Sequence, residues 1–465
     1  MVVAPEVEEI IAALMRRIEA LEADNAELRR RLDLNSSNSS KPPSSDGLKK
    51  KRRVLGSLRT RTGKRSGGQK GHRGDTLRQV AEPDLIIEHA AEQCAHCQAR
   101  LSTDSKIGEE KRQVFDLPER PLIVTEHRAA IHGCATCGRR TRADFPEGVV
   151  SPVQYGERFK AAAVYLNAQQ LVPEERVAQV LQDLFGAAAA CGASVAAWVR
   201  RKAEALAEVY RGIGECVAAA PVRCLDETGF RIAGTTRWLH TASTLTHTFY
   251  RACEPRSAVL MCEGGVVVHD HWRAYYGLDN VDHAFCNAHL LRELQAVCEF
   301  DNEPWAEALR ATLLSANEAA PTAKAQGETA LAPETIKAFE ERYWAAVREG
   351  LALHRSLPDF DPSMNPKKRR KQRPAHNLLI RFKTFKEATL RFLADFTVPF
   401  TNNLAEQDLR MMKVKMKISG GFRTPQGAAD FARLRSVISS ARKHGFNIAK
   451  ALVLAPDELA ADLKL

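Results

Sequence analysis

The stretch VRCLDETGFRIAGTTRWLHTASTLTHTFYR, residues 222–251, decides how the second half of this 465-residue chain folds. It holds three short apolar runs separated by turn formers, which predicts a β-meander. A short helix is expected at 256–262, then a further strand at Val266–Val268 that ends at Asp270. Two strands therefore end in carboxylates, at Leu225-Asp226 and at His269-Asp270. A charge at the end of a buried strand needs a partner or a metal ion. Side chains alternate along a strand, so His269 and His271 point away from Asp270 and make a poor metal triad with it. By the same rule Glu227 faces away from Asp226, which leaves Asp226 as the better candidate.

A third acid lies in VPFTNNLAEQDLRMMKVKMKISGGFRT, residues 398–424. Asn402 or Asn403 can cap a helix there. Glu406, Arg410, Lys413 and Lys417 then fall on one face, an acid followed by three cations. Such a face serves either helix stabilisation or a metal ligand flanked by phosphate contacts. Residues 410–443 hold nine Lys/Arg and one acid, Asp430, which predicts a DNA-facing side beside Glu406.

Between the second and third acids, helical periodicity covers roughly 303–319, 333–356 and 375–394. The island KKRRKQR, 367–373, reads equally as a phosphate contact or a solvated loop. Asn287, His289 and Arg292 follow the second acid at a strand-to-helix junction. Cys286 and His289 have no second ligand pair in sequence, so no zinc is read there.

Upstream, Glu157–Gln170, Glu174–Leu184 and Ala193–Tyr210 read as three helices. Within them, Glu174–Arg200 fits either plain helical packing or a helix-turn-helix that places Ser194 to Arg201 in a DNA groove. Further upstream stand two C-x2-C pairs, Cys94/Cys97 and Cys134/Cys137, separated by 36 residues. Two such pairs can complete a tetrahedral four-cysteine Zn²⁺ site of structural type. Leu122–Thr125 and Ala129–His132 are candidate strands of a small zinc ribbon.

The chain opens with heptads. Ile11, Ile18, Asn25 and Leu32 take the a positions, and Leu14, Leu21 and Leu28 the d positions. This pattern favours a parallel two-stranded zipper whose buried Asn fixes the register. A basic region follows it across Pro42 and Pro43, the reverse of the basic-zipper order. The formal charge is +11, from 68 Lys+Arg and 57 Asp+Glu. Residues 41–80 hold 13 Lys/Arg and two acids, Asp46 and Asp75, so the whole excess belongs to this arm. Its Ser/Asn/Pro- and Gly-rich composition predicts disorder and sequence-indifferent polyanion binding, with Lys49, Lys50, Lys51, Arg52, Arg53, Lys70 and Arg73 as candidate contacts. No apolar run approaches a membrane span, the start MVVAPEVEEI lacks the features of a secretory signal, and the 11 Cys suggest reduced thiols rather than a disulfide framework. An intracellular, multidomain protein with no membrane partner is expected.

Together these pieces resemble the DDE transposases of the bacterial insertion-sequence sixty-six family. The resemblance is carried by NSSNSSKPPSSD at 35–46, GGQKGHRG at 67–74, the paired C-x2-C module and YGERFKAAAVYLNAQQLVPEER at 155–176. It continues through LDETGFRIAG at 225–234, HDHWRAYY at 269–276, CNAHLLREL at 286–294 and the 398–424 segment. Each piece is weak alone, and their shared order is specific. One departure is the apolar Ala187–Ala190 with Cys191, which weakens the helix-turn-helix reading.

The resemblance implies a multidomain α+β protein. Its segments are a coiled-coil zipper (1–34), a basic arm (35–80), a zinc module (81–150), a helical region (151–215) and the first part of a ribonuclease-H-like catalytic core (216–298). A helical insertion (299–395) and the last part of the core (396–465) follow. It implies a catalytic triad of Asp226, Asp270 and Glu406 holding two Mg²⁺ ions about 4 Å apart, with one structural Zn²⁺ on the four cysteines. It further implies cleavage at an element's ends by water, joining of the freed 3′-OH to target DNA, a homodimer on double-stranded DNA in the cytoplasm at the nucleoid, and accessory proteins encoded by the same element. Two other readings stand beside it: a non-catalytic DNA-binding regulator, and a metal-dependent nuclease without strand transfer.

Overall fold

The computed structural model describes residues 5–35, 38–39, 77–102, 107–118, 122–257, 260, 262–357 and 372–465. The basic-arm candidates Lys49, Lys50, Lys51, Arg52, Arg53, Lys70 and Arg73, and most of the 367–373 island, lie outside them. Helix α1 spans Pro5–Asp33, so the heptad segment is helical. Its core positions are exposed: Ile11, Leu14, Ile18, Leu21 and Leu28 lie on the surface along its length. No helix among the described residues is long and apolar enough to cross a membrane.

The chain divides into two compact units, of which the zinc-module segment is one. In that unit β1 (Ile131–Gly133) and β2 (Arg140–Arg142) pair antiparallel around the second C-x2-C turn. The first pair is built alike. The Cys94 N–H donates to the Ala99 carbonyl at 2.9 Å, and the Cys134 N–H to the Arg139 carbonyl at 2.8 Å. Each turn closes through a left-handed residue, Gln98 (φ 60°) in one and Gly138 (φ 69°) in the other. The expected strand at Leu122–Thr125 does not form. Its Ile123 and Val124 are exposed, with no neighbouring strand among the described residues, and the ladder closes over the cysteine turn instead.

The other unit carries the helices and a five-stranded sheet. Helix α2 (Glu157–Val164) runs through a π turn at Tyr165–Gln169, followed by α3 (Glu174–Phe185), α4 (Gly192–Ala205) and α5 (Ala207–Ala218). The helix expected at 193–210 is thus two, broken at Leu206 (φ −94°, ψ 16°) without a Gly or Pro to signal it. Val195 and Trp198 of α4 are buried, so one side of the proposed groove-reading segment is committed to packing.

The meander forms: β3 (Val222–Ile232), β4 (Thr235–Ser243) and β5 (Thr248–Cys253), but β3 does not end at Asp226 as expected, because the ladder with β4 runs unbroken from Cys224 to Ile232. The turn joining β3 to β4 is two residues, Ala233 and Gly234, both with positive φ, as the twist of a tight hairpin requires. Strands β6 (Val266–His269) and β7 (Asp282–Phe285) add parallel on the other side of β3, giving the order β5-β4-β3-β6-β7. The short helix expected at 256–262 is absent from the described residues of that segment.

Helix α6 (Asn287–Ala296) follows β7, and α7 (Pro304–Ala325), α8 (Pro333–Ser356), α9 (Pro374–Thr384) and α10 (Lys386–Ala394) make up the expected helical stretch. It is not a separate body. Trp305, Leu309, Tyr343, Leu379 and Phe382 join Cys224, Val268, Ala284 and Phe285 of the sheet in one apolar core. Truncating such a side chain to Ala costs about 2–5 kcal/mol. The chain ends with α11 (Asn403–Ser419), α12 (Pro425–Lys443), α13 (Ile448–Ala451) and α14 (Pro456–Asp462).

Candidate active site

Strands β3 and β6 bring the first two acids together. Their register pairs Val222 with Val266, Arg223 with Val267 and Cys224 with Val268. Continued by two residues, it sets Asp226 beside Asp270, on the same side of both strands. Each carboxylate accepts from a nearby backbone N–H: Asp226 Oδ1 from Glu227 and Asp270 Oδ1 from Trp272, both at 2.9 Å.

Glu406 reaches the same place from α11. Ala405, Leu409 and Met412 are the buried face of this helix. Two residues beyond Glu406, on the opposite side, Asp408 fastens the helix to the sheet and to α12. Its Oδ2 accepts from Ser243 (2.6 Å), Thr248 (2.8 Å) and Lys443 (2.9 Å), while its carbonyl accepts from the Tyr250 hydroxyl. The far end of α11 is fixed as well: the Phe422 N–H donates to the Arg231 carbonyl at 2.8 Å, next to Gly421 at φ 146°. Asn402, at the head of the helix, does not cap it with its side chain. It donates instead to the Leu225 carbonyl at 2.7 Å, one residue before Asp226.

Electrostatics report the clustering. Burial, then Glu227 and Asp270, hold the Asp226 carboxyl well above its ordinary range, and Glu406 adds to the effect. Burial, then Glu227, push Asp270 up to about 6, again with a contribution from Glu406. Both shifts come first from burial, and the neighbouring carboxylates add to them.

Glu227 is itself buried, with 2% of its side chain exposed. It is already engaged: Arg256 donates to Oε1 through Nε (2.9 Å) and Nη2 (2.8 Å), and the Tyr275 hydroxyl to Oε2. The Arg256 guanidinium lies over the ring of Trp272, 3.7 Å from its centroid, and 4.9 Å from that of Trp238. Arg256 and Tyr275 carried no signal in the sequence, because their partner is fixed only by the fold. His269 and His271 sit in an aromatic nest with Tyr276 and Phe285. Burial lowers both imidazoles to about 3.

Of the expected phosphate contacts, Arg410, Lys413 and Lys417 are exposed on α11. The basic stretch 410–443 is not all surface, however. Lys415, Arg435 and Lys443 turn inward, Lys415 toward the rings of Phe422 and Phe431.

Cys286 and His289 do have a third ligand-type neighbour, which sequence spacing could not reveal. Donor atoms of Cys286, His289 and Glu406 all lie within 4.8 Å of one another, alone among the described residues in making such a group. The four module cysteines form two separate knuckles among the described residues, with backbone N–H groups lowering the thiol of Cys94 (from Cys97 and His96) and of Cys134 (from Cys137 and Thr136).

Two segments match known transposase sequences and so define the class. Residues 91–138 match the zinc-finger binding domain of transposase IS66. Residues 152–430, more than half of the chain and the whole of the acid-bearing sheet with α11, match the family described as Transposase IS66 family. The chain belongs to this family. Residues 3–78 match a family of unknown function. No curated protein and no solved structure gives a match.

Proposed function

We propose that this chain is a DDE transposase that binds the ends of an insertion sequence and catalyses metal-dependent DNA cleavage and strand transfer. The observation that carries the reading is the acid cluster: Asp226 and Asp270 in register on adjacent parallel strands, with Glu406 close enough to raise both. A meander of three antiparallel strands extended by two parallel ones, with Asp226 midway along β3 and Asp270 just past the end of β6, is the arrangement expected of a ribonuclease-H-like core.

The donor set fits Mg²⁺, which takes oxygen ligands. Asp226, Asp270 and Glu406 would hold two such ions, which supply activation of an attacking oxygen and stabilisation of a leaving one. The chain's own groups do the rest. Asn402 and Asp408 fix Glu406 against the sheet, and Arg256 with Tyr275 occupies both oxygens of Glu227, so that three carboxylates and not four are left to hold the ions. Arg410, Lys413 and Lys417 line the same helix for the phosphates on either side of the scissile bond. Water attacks the phosphodiester at the element's end and frees a 3′-hydroxyl, which then attacks the target strand. No side chain forms a covalent bond with DNA.

In this reading Cys94, Cys97, Cys134 and Cys137 hold one structural Zn²⁺, the exposed stripe of α1 pairs two copies, and the 41–80 arm adds affinity for double-stranded DNA at the nucleoid. Accessory proteins of the same element belong to the proposal as partners.

The test is cleavage and joining of labelled element-end DNA in Mg²⁺, comparing wild type with Asp226→Ala, Asp270→Ala and Glu406→Ala. All three substitutions are expected to abolish both steps. Undiminished cleavage by any one would remove that residue from the triad. Cleavage without joining would make the protein a nuclease, and DNA binding without either step a regulator.

A further inference from the structure

We infer that Cys286, His289 and Glu406 form a zinc site that competes with the catalytic use of Glu406. Cys286 stands immediately before α6 and His289 one turn later, so their side chains emerge on the same side of the helix start. Glu406 enters from the first turn of α11, and the two helix starts are tied by the Asn402 N–H donating to Cys286 Sγ at 3.2 Å. His289 Nδ1 is buried without a partner and lies 3.8 Å from Glu406 Oε1, too far for a hydrogen bond. Two ligands on a tetrahedral Zn²⁺, each about 2.0–2.2 Å from it, stand roughly 3.4 Å apart. The gap is therefore close to the one a zinc ion would bridge.

Thiolate and imidazole select zinc over magnesium, and three protein ligands leave a fourth position for water. A route in exists. Cys286 and His289 line a cavity of about 480 Å³ that also reaches Asp270 and Arg256. Binding replaces the thiol proton: the S–H bond breaks, a sulfur–zinc bond forms, and the proton passes to water. Nothing is oxidised or reduced.

Glu406 cannot serve zinc and the acid cluster together, so occupancy would switch the protein off reversibly. This consequence rests on the proposed role of Glu406; the site itself does not.

The full chain is dialysed against micromolar Zn²⁺ and its zinc counted by elemental analysis. Two equivalents are expected for wild type and one for Cys286→Ser and for His289→Asn, each verified as folded by its thermal melt. Cys94→Ser with Cys137→Ser should retain the second equivalent. Co²⁺ added to metal-free Cys94→Ser/Cys137→Ser protein should give a thiolate-to-metal absorption band that is lost when Cys286→Ser is added. A wild type with one equivalent, or variants that keep the second, would overturn the site. In a Mg²⁺ cleavage assay, wild-type activity should fall as the second equivalent binds, and Cys286→Ser should need at least about tenfold more zinc for the same loss. Binding of the second equivalent with activity unmoved would overturn the inhibition and leave the site standing.

Discussion

At the scale of single residues, Asp270 carries a cost that pH should expose. Its carboxyl is raised to about 6 from an ordinary 3.8, so the folded, metal-free protein prefers it protonated. That preference favours folding fully below about 3.8 and is lost as pH rises through about 6. Asp270→Asn removes the charge and should stabilise the metal-free protein at pH 7.5 by up to about 3 kcal/mol, while abolishing cleavage. Urea unfolding at pH 7.5 and pH 4 measures this, and an equal effect at both pH values would contradict it. Asn402 is the converse case. Its link to the Leu225 carbonyl connects two of the acids, so Asn402→Ala should cost about 1–3 kcal/mol and lower kcat by tenfold or more. A destabilised variant of unchanged kcat would reduce Asn402 to packing alone. Much of the acid cluster was legible in the sequence, since a carboxylate at the end of an apolar run demands an explanation. Arg256, Tyr275 and the Cys286–Glu406 pairing were not, because their contacts join segments that local pattern cannot relate.

At the scale of elements, short apolar runs between turn residues made the meander legible, apolar spacing made α8 so, and the charge spacing from Glu406 to Lys417 made α11 so. What spacing missed were breaks without a Gly or Pro, at Leu206 and at Phe385 (φ −119°, ψ 38°), where tertiary packing turns the helix. It also missed which cations of the 410–443 stretch face inward. Lys415 and Arg435 lie on buried faces of amphipathic helices, where charge alone predicts the surface. The end of α11 supplies a test. A Cβ at Gly421 would lie 2.4 Å from the Arg231 carbonyl oxygen, in a backbone conformation nearly reserved for glycine. Gly421→Ala should therefore cost about 2 kcal/mol or more and loosen Glu406 along with the helix. An unchanged denaturation midpoint would contradict this account of how α11 is held.

At the scale of the whole molecule, the proposal needs two copies and a polyanion. The exposed Ile11, Leu14, Ile18, Leu21 and Leu28 should pair between chains, and Leu14→Glu with Leu21→Glu should convert a dimer to a monomer in sedimentation. A wild-type monomer would remove the zipper. The 13 Lys/Arg of residues 41–80 should dominate non-specific affinity, so deleting them should flatten the salt dependence of DNA binding by several units of slope. The zinc knuckles were legible because C-x2-C spacing is local; their strands were legible only in part, since the expected Ala129–His132 overlaps β1 while β2 and the failure of Leu122–Thr125 follow from the turn and not from apolar content.

The central claim is that Asp226, Asp270 and Glu406 bring metal ions onto the scissile phosphate. Sulfur placed at a non-bridging oxygen of that phosphate in element-end DNA tests it directly. The account predicts that cleavage of one diastereomer fails in Mg²⁺ and is restored by thiophilic Mn²⁺ in wild type, but by neither ion in Asp226→Ala. Equal cleavage of both diastereomers and the unmodified DNA in Mg²⁺ would contradict it.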